Sequence, residues 1–191
     1  MTTLPVQTRE TAPEASKPHL DAAVKNYGFI PNLTAVFANS PVMIEAYGVL
    51  ANHFEKTDLT PVERQIVLMT NNRLNGCTYC MAAHSTIAQM QNVPADVITA
   101  VRDGTEISDP KLQALHTFTA RMNEARGHLS QVDVDAFLAA GYTEANILDV
   151  ILGTGLKTIS NYTNHISDTP LDAPFQGNAW TPPTAATRAV A

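Results

Sequence analysis

Two cysteines and one histidine are the residues of this sequence whose types and spacing could do chemistry. Cys77, Cys80 and His84 follow one another at intervals of three and four residues. If the cysteines begin a helix, the three side chains lie on one face of it, because residues three and four apart are neighbours on a helix surface. The spacing therefore predicts that two thiols and an imidazole converge on one site.

The first turn of a helix is also an environment that activates a thiol. Unpaired backbone N–H groups and the positive end of the helix dipole favour the thiolate over the thiol. His84 can accept the proton of Cys80, or lower its pKa as an imidazolium. The carboxylate of Glu63 can orient that imidazole if its helix packs alongside. The predicted catalytic residues are thus Cys80, Cys77, His84 and Glu63.

The chemistry expected of such a pair is reduction of a peroxide. A thiolate attacks the O–O bond and becomes a sulfenic acid, with which a second cysteine three residues away condenses to form a disulfide. An external dithiol must then reduce this disulfide. These steps predict a peroxide substrate and a dithiol reductant as partners, and they require no cofactor.

Other roles for the two cysteines stay open at this point. The pair could act as a redox sensor or a disulfide-exchange module without significant peroxide turnover. The cysteines could also be small buried apolar residues beside a core histidine. A zinc site is less favoured, because Cys77, Cys80 and His84 give three ligands and a closed structural site needs a fourth. We therefore predict no metal ligands.

The composition of the chain limits its partners. Its 191 residues fit one compact domain. With 45% apolar and 16% charged residues, the chain can bury a sizeable core and has a surplus that indicates a subunit interface. The net charge is −6 and the 12 Lys and Arg residues are not clustered. This excludes a nucleic-acid partner, whose phosphates need basic side chains gathered on one face.

The sequence has no candidate membrane segment. No run approaches the roughly 18 apolar residues of a membrane span, and residues 1–17 are polar, with no apolar signal core. The two cysteines lie too close together to join distant parts of a fold, so they indicate redox chemistry in a reducing compartment. These features predict a cytoplasmic protein with no membrane partner.

The elements that must position the cysteines are helices. Apolar residues recur at intervals of three and four through residues 42–90 and again through residues 110–165. Thr60-Pro61 is a typical helix start, and Thr60 with Glu63 has the spacing of a capping box. No segment alternates convincingly as a strand does, so we predict an all-α fold of about eight helices.

The two ends of the chain differ from its middle. The first 16 residues and those after residue 172 are poor in apolar side chains and contain several Thr and Pro residues, so they cannot pack alone. We predict a helical domain at residues 17–172, between an N-terminal arm at 1–16 and a C-terminal arm at 173–191. Trp180 in the second arm could anchor it against a neighbouring subunit.

The pattern of Glu63 followed by Cys77-x-x-Cys80-x-x-x-His84 resembles a known family signature. It is similar to that of the alkylhydroperoxidase D-like branch of the carboxymuconolactone decarboxylase family, especially the peroxidase-related enzymes. The resemblance covers most of residues 20–172. The further segments that carry it are Tyr27-Gly28-Phe29-Ile30-Pro31-Asn32, Ser40-Pro41, Asn161-Tyr162 and Asp168-Thr169-Pro170.

This resemblance implies an all-helical homo-oligomer, commonly a trimer or hexamer, that reduces peroxides with both cysteines. Carried over to this chain, Cys80 attacks the peroxide and Cys77 resolves the sulfenic acid. His84 accepts the proton, and Glu63 feeds that proton relay. The decarboxylase branch acts without paired cysteines, so their presence here disfavours that reaction.

One position departs from these relatives. Some alkylhydroperoxidase D proteins have a histidine immediately before the second cysteine, where this chain has Tyr79. A phenol, with an ordinary pKa near ~10, is a poor base at neutral pH. The departure therefore implies weaker activity or another oxidant. Tyr79, together with His53 and Asn161, is predicted to lie around the catalytic residues.

Overall fold

The computed structural model of the chain describes residues 4–183, which form nine α-helices and two short 3-10 helices. No strand occurs within these residues, so the predicted all-α fold class is confirmed. The count slightly exceeds the predicted eight because some helices, such as the six-residue α2, are too short to give a clear periodicity. The α-helices are α1 (Lys17–Tyr27), α2 (Asn32–Phe37), α3 (Pro41–Phe54), α4 (Pro61–Leu74), α5 (Thr78–Met90), α6 (Ala95–Asp103), α7 (Pro110–Glu124), α8 (Gln131–Ala139) and α9 (Glu144–Ser167).

The helix starts that bear on the site are set by residues of the local sequence. At α4, the Thr60 hydroxyl accepts from the Glu63 backbone N–H, while the Glu63 carboxylate accepts from the Thr60 backbone N–H. Thr143 begins α9 with the same reciprocal pairing. Between α4 and α5, Gly76 has a φ of 67°, a conformation that glycine adopts at little cost. The chain therefore turns sharply, and Cys77 becomes the N-cap residue of α5.

Helix α4 lies at the centre of the fold. It packs against α5, α6, α7 and α9, and nine of its residues between Glu63 and Asn72 are buried. Its apolar side chains belong to the main core, in which the rings of Phe118, Phe137 and Tyr142 stack at centroid separations of 4.1 and 4.5 Å. This central helix is the fixed support for the loop that carries the cysteines.

Helix α9 packs against α4 and α3 at close range. A Cβ atom on Gly153 would lie 2.6 Å from Val67 Cγ1 and 2.8 Å from Phe54 Cε2. Both distances are shorter than van der Waals contact between carbon atoms, so glycine lets the helices approach. The next turns of α9 then pass beside the start of α5.

The described parts of both predicted arms pack against the rest of the chain. In the N-terminal part, the buried Ser16 donates its hydroxyl to Ala38 O at 2.9 Å. In the C-terminal part, a 3-10 helix at Ala173–Asn178 packs against α5. Residues 4–16 and 173–183 of the predicted arms therefore contact the helical domain of their own chain, whereas residues 1–3 and 184–191 lie outside the described range. The division of the chain into a domain and two arms stays a prediction.

Trp180 is held within its own chain. Its indole N–H donates to Arg102 O at 3.3 Å, and its ring packs against the main core. Arg102 in turn donates to Asn178 O and Ala179 O. These contacts fix the C-terminal segment on α5 and α6 of its own chain, and the anchoring of Trp180 against a neighbouring subunit stays a prediction.

Within residues 4–183, no helix combines the length and the apolar character that crossing a bilayer requires.

Candidate functional site

The two cysteines meet at the start of α5, as their spacing predicts. The pair lies 3.5 Å apart with both thiols free and almost fully buried. Asn72, in the last turns of α4, holds their loop in place. Its carbonyl accepts from the Cys77 backbone N–H at 2.9 Å, and its side-chain amide donates to Cys80 O at 3.2 Å. The helix N-terminus and the central helix thus position both sulfurs.

The two thiols are electrostatically different. Burial alone would raise the pKa of Cys80, but the S–H donor of Cys77 and the charge of Lys157 lower it below its usual value. The pKa of Cys77 is raised, because its proton is held by Cys80 and because it is buried. Cys80 is therefore the thiolate of the pair at neutral pH, and Cys77 is the thiol that donates to it.

Helix α9 supplies the polar groups that face the sulfurs. The Asn164 side-chain amide donates to Cys80 Sγ at 3.1 Å and lies 3.6 Å from Cys77 Sγ. Ser160 Oγ lies 3.8 Å from Cys80 Sγ. Lys157, Ser160 and Asn164 are three and four residues apart, so they share one face of α9. Sequence analysis missed this face because nothing local to α9 shows that it packs against α5.

His84 is neutral and bridges two residues that the sequence did not single out. Its Nε2 lies 3.0 Å from Lys157 Nζ, and its Nδ1 lies 3.0 Å from Gln65 Oε1. A lysine ammonium only donates, so Nε2 accepts and Nδ1 carries the proton that goes to Gln65. Burial, and then the charge of Lys157, lower the pKa of His84 well below its usual value. The imidazole reaches Cys80 through Lys157 and makes no direct hydrogen bond to it.

The expected contact between Glu63 and His84 is not made. Glu63 and Gln65 are two residues apart on α4, which separates their side chains by roughly 200° around the helix. The Glu63 carboxylate is committed to the Thr60 cap and lies 3.6 Å from Lys111 Nζ. Gln65 points to the imidazole instead. The structure therefore does not bring Glu63 to His84, because its place in the capping box turns it away, and Gln65 makes that contact instead.

Lys157 is the most informative residue that the sequence analysis missed. Its side chain is 1% exposed, and none of the carboxylates within residues 4–183 forms an ion pair with it. Burial opposes its charge, but the negative charge of Cys80 keeps its pKa above the usual value. Lysine is rarely buried unless paired, and the counter-charge here is the Cys80 thiolate. The sequence feature that could have identified Lys157 is its position inside the apolar stripe of α9.

Tyr79 lies beside the site but is not free to relay protons. Its hydroxyl donates to Asp172 Oδ2 at 2.5 Å and accepts from the Leu33 backbone N–H at 3.2 Å. Burial and the hydrogen bond to Asp172 raise the pKa of the phenol. Tyr79 therefore ties the C-terminal segment to α2 and α5.

The other two predicted neighbours have different positions. Asn161 is fully buried behind the cysteine loop, where it donates to Asn72 Oδ1 at 3.0 Å and accepts from Asn75 Nδ2 at 2.8 Å. Asn161 therefore supports Asn72, which holds the cysteine loop in place. His53 is exposed near the end of α3, and its side chain makes no hydrogen bond within the described part of the chain, so the structure does not bring it to the cysteines.

An apolar wall packs against the cysteine pair. Phe175 of the C-terminal 3-10 helix packs in one cluster with both cysteines. Its ring centroid lies 5.9 Å from that of Phe29 and 6.2 Å from that of Tyr79. Leu33 and Leu171 complete this wall. A substrate that reaches the sulfurs meets aromatic and aliphatic surface on one side and the polar groups of α9 on the other.

Metal binding receives no support from the described side chains. Residues 4–183 contain no cluster of three or more His, Cys, Asp or Glu side chains that could hold a metal ion.

Part of the chain matches the sequence model of a known protein family. Residues 43–109 match the Carboxymuconolactone decarboxylase family. The matched segment includes Cys77, Cys80 and His84, whereas Lys157 and Asn164 lie beyond it. The match confirms the family resemblance predicted from the sequence. No curated protein shows significant similarity to the chain.

Solved structures share the fold over nearly the whole chain. The alkylhydroperoxidase AhpD core protein of Ralstonia eutropha JMP134, a peroxidase-related protein, has a TM-score of 0.81 at 21% identity and covers 91% of this chain and 94% of its own. A peroxidase-related protein of Silicibacter sp. TM1040 has a TM-score of 0.78 at 17% identity, with coverages of 92% and 93%. The debrominase Bmp8, a variant of which was crystallised with 2,3,4-tribromopyrrole, also has a TM-score of 0.78, at 19% identity, with coverages of 93% and 96%. These likenesses establish the fold.

Proposed function

We propose that this chain, which matches the carboxymuconolactone decarboxylase family and has an alkylhydroperoxidase D-like fold, is a thiol-dependent peroxidase. Cys80 attacks a hydroperoxide, Cys77 resolves the product as a disulfide, and an external dithiol restores the pair. The peroxidase-related proteins with the same fold agree with this proposal.

The observation that carries the proposal is the polarised cysteine pair. A nucleophilic cysteine must be a thiolate at working pH, and its resolving partner must stay close and protonated until it is needed. The pKa of Cys80 is lowered and that of Cys77 is raised, with the two residues 3.5 Å apart. Two structural cysteines in an apolar core would both have raised pKa values, and no buried lysine would be needed beside them.

Lys157 and His84 complete the reaction on this proposal. The Cys80 thiolate attacks the terminal oxygen of R–O–O–H and the O–O bond breaks, which leaves Cys80–S–OH and an alkoxide. The alkoxide takes a proton from the Lys157 ammonium and leaves as R–OH. His84 holds that ammonium at 3.0 Å and, being neutral, does not compete as a charged acid.

The second cysteine then closes the cycle. Cys77 Sγ attacks the Cys80 sulfenic sulfur, the Cys77 proton leaves with the hydroxyl as water, and a disulfide forms. A dithiol reduces this disulfide and returns two hydrogens to the pair. One of them passes from Cys80 to the neutral Lys157 amine, which regenerates the thiolate and the ammonium. The sum is one hydroperoxide and one dithiol converted into alcohol, water and disulfide.

Substrate access requires the C-terminal segment to move, on this proposal. Both thiols are at most 1% exposed, and Leu171 and Phe175 lie against them. The apolar wall favours a hydroperoxide with an apolar R group over hydrogen peroxide, because displacing this wall is repaid by apolar contact.

A second candidate is reductive debromination of an aromatic compound. It is favoured by the fold shared with the debrominase Bmp8 and by the aromatic wall of Phe29, Tyr79 and Phe175. Such a reaction also takes two electrons from the cysteine pair and leaves the same disulfide. A brominated pyrrole offered in place of the hydroperoxide distinguishes the two, by release of bromide.

Peroxide consumption by the reduced protein tests the proposal. With excess dithiothreitol and cumene, tert-butyl or hydrogen peroxide, we expect turnover that Cys80→Ser abolishes. Cys77→Ser, reduced and then freed of dithiothreitol, is the matched variant, because it keeps the attacking thiolate and should support one turnover that ends in a trappable sulfenic acid. The proposal fails if the wild type consumes no peroxide. Disulfide formation without turnover would then support a redox sensor or disulfide-exchange module.

A further inference from the structure

One buried polar atom beside the sulfurs has no partner within the described residues. The Asn164 side chain is 5% exposed, and its amide nitrogen donates to both cysteines. Its Oδ1 is buried and accepts no hydrogen bond. Buried amide oxygens are nearly always paired, so an orphan among reactive groups indicates that a ligand completes it.

We propose that Asn164 Oδ1 accepts the O–H of the bound hydroperoxide and so makes Asn164 a catalytic residue that orients the O–O bond on Cys80. This inference rests on the proposed peroxidase function and adds to it a requirement on the substrate. The substrate must carry a hydrogen-bond donor on the atom that the sulfur attacks.

The distances around Cys80 allow this contact. Asn164 Nδ2 lies 3.1 Å from Cys80 Sγ, and the oxygen and nitrogen of an amide are roughly 2.2 Å apart given its bond lengths. Oδ1 therefore lies no more than about 5.3 Å from the sulfur. An oxygen ready for attack sits about 3–3.5 Å from the nucleophile, so it fits between the sulfur and an acceptor at this range.

The same amide serves both reactants. Its N–H group stabilises the negative sulfur before attack, and its carbonyl oxygen holds the proton of the oxygen that becomes part of Cys80–S–OH. With that oxygen fixed, the leaving oxygen is free to point to Lys157, which lies on the same face of α9. The R group then faces the apolar wall that contains Phe29 and Phe175.

This arrangement defines the substrate class as apolar hydroperoxides, R–O–O–H. A dialkyl peroxide has no O–H group, so it would bury the Asn164 carbonyl unpaired beside the thiolate. An electrophile of another kind that lacks a donor would react with Cys80 without help from Oδ1. The distinction can be measured on one thiolate with two reagents.

The test compares tert-butyl hydroperoxide with methyl methanethiosulfonate, which reacts with thiolates and has no O–H or N–H donor. Single-turnover rates are measured for the reduced wild type and for Asn164→Leu. In Asn164→Leu, loss of the N–H donor slows the reaction of Cys80 with both reagents. Loss of the acceptor slows only the hydroperoxide, so we expect its rate to fall about tenfold more than that of the thiosulfonate, as for one lost hydrogen bond.

Ser160→Ala is the matched control. It removes another group near Cys80 Sγ but keeps Asn164, so the two reagents should slow by the same factor. Equal slowing of both reagents in Asn164→Leu would overturn the inference while leaving peroxidase function intact. Absence of any hydroperoxide reaction in the wild type would instead refute the proposed function.

A measurement on the wild type covers the case in which Asn164→Leu does not fold. Each reagent's rate with the protein is divided by its rate with the thiolate of dithiothreitol. The inference expects a larger ratio for the hydroperoxide than for the thiosulfonate. Equal ratios would overturn it, whatever the variant does.

Discussion

At the scale of single residues, the buried charge of Lys157 favours the thiolate form of Cys80. This ammonium has no carboxylate partner within residues 4–183, contacts His84 Nε2 at 3.0 Å, and lowers the pKa of Cys80. A neighbouring opposite charge shifts a pKa by about 1–3 units. The depressed pKa means that Cys80 stays a thiolate well below the ordinary cysteine pKa near ~8.5.

Replacing this lysine should therefore change the pH at which Cys80 reacts. In Lys157→Met, we expect the pH of half-maximal alkylation by iodoacetamide to rise by about 1–3 units. The comparison is made in a Cys77→Ser background, so that one thiol is observed. The control is Lys111→Met, since this half-exposed lysine lies beside Glu63 on the far face of α4. An unchanged profile in Lys157→Met would show that the thiolate owes nothing to the buried charge.

Residue types and spacing could predict the part of the site that lies on one helix. Cys77, Cys80 and His84 are local to α5, so the geometry of a helix brings them together before any packing is known. Lys157 and Asn164 could not be found this way, because they join the site only when α9 packs beside α5. Gln65 could not be found from its type either, because an amide does not indicate proton transfer, whereas the capping box turns the carboxylate of Glu63 away from His84.

At the scale of elements, the C-terminal 3-10 helix acts as the cover of the thiols. It is held by the Tyr79 hydroxyl on Asp172 and by the Arg102 side chain on Asn178 O. Sequence patterning did not identify this element, because Phe175 is a single aromatic residue among polar ones and gives no periodicity. The long helices were predictable from their apolar spacing and caps.

Truncating the central side chain of this cover should expose the cysteines. In Phe175→Ala, we expect the reduced thiols to react with the bulky disulfide of Ellman's reagent at least about tenfold faster, because loss of a buried phenyl ring weakens local packing by about 3–5 kcal/mol. Phe137→Ala is the matched control. It removes a buried ring of the same type from the main core and lowers overall stability without uncovering α5. Equal acceleration in both variants would mean that the thiols react through global unfolding.

At the scale of the whole molecule, two buried histidines make stability depend on pH. Burial, and then the neighbouring Arg73 charge, lower the pKa of His116 to about 4, and that of His84 is lowered as well. In both cases the unfolded chain binds a proton more readily than the folded chain. Their contribution is therefore fully present above about pH 6.5 and is lost as the pH falls toward the folded-state values.

Urea unfolding at pH 7 and pH 5 measures this contribution. We expect the free energy of unfolding to fall on acidification, and His116→Gln to remove about 2 kcal/mol of that fall, the value for a pKa displaced from 6.5 to about 4. His128→Gln is the control, since His128 is exposed. If both variants keep the full pH dependence, His116 is not the group responsible.

The predicted homo-oligomer, trimer or hexamer, and the predicted cytoplasmic location stay predictions.

The pairing of Lys157 with Cys80 also couples electron transfer to proton transfer. When the disulfide forms, the thiolate that balances the buried ammonium disappears, and a lone cation in that position is costly. We therefore expect the lysine to give up its proton when the pair is oxidised and to take it back on reduction. Two electrons then travel with two protons even though one cysteine is already a thiolate. The midpoint potential of the pair should be raised by this arrangement and should follow pH as steeply as that of an ordinary neutral dithiol.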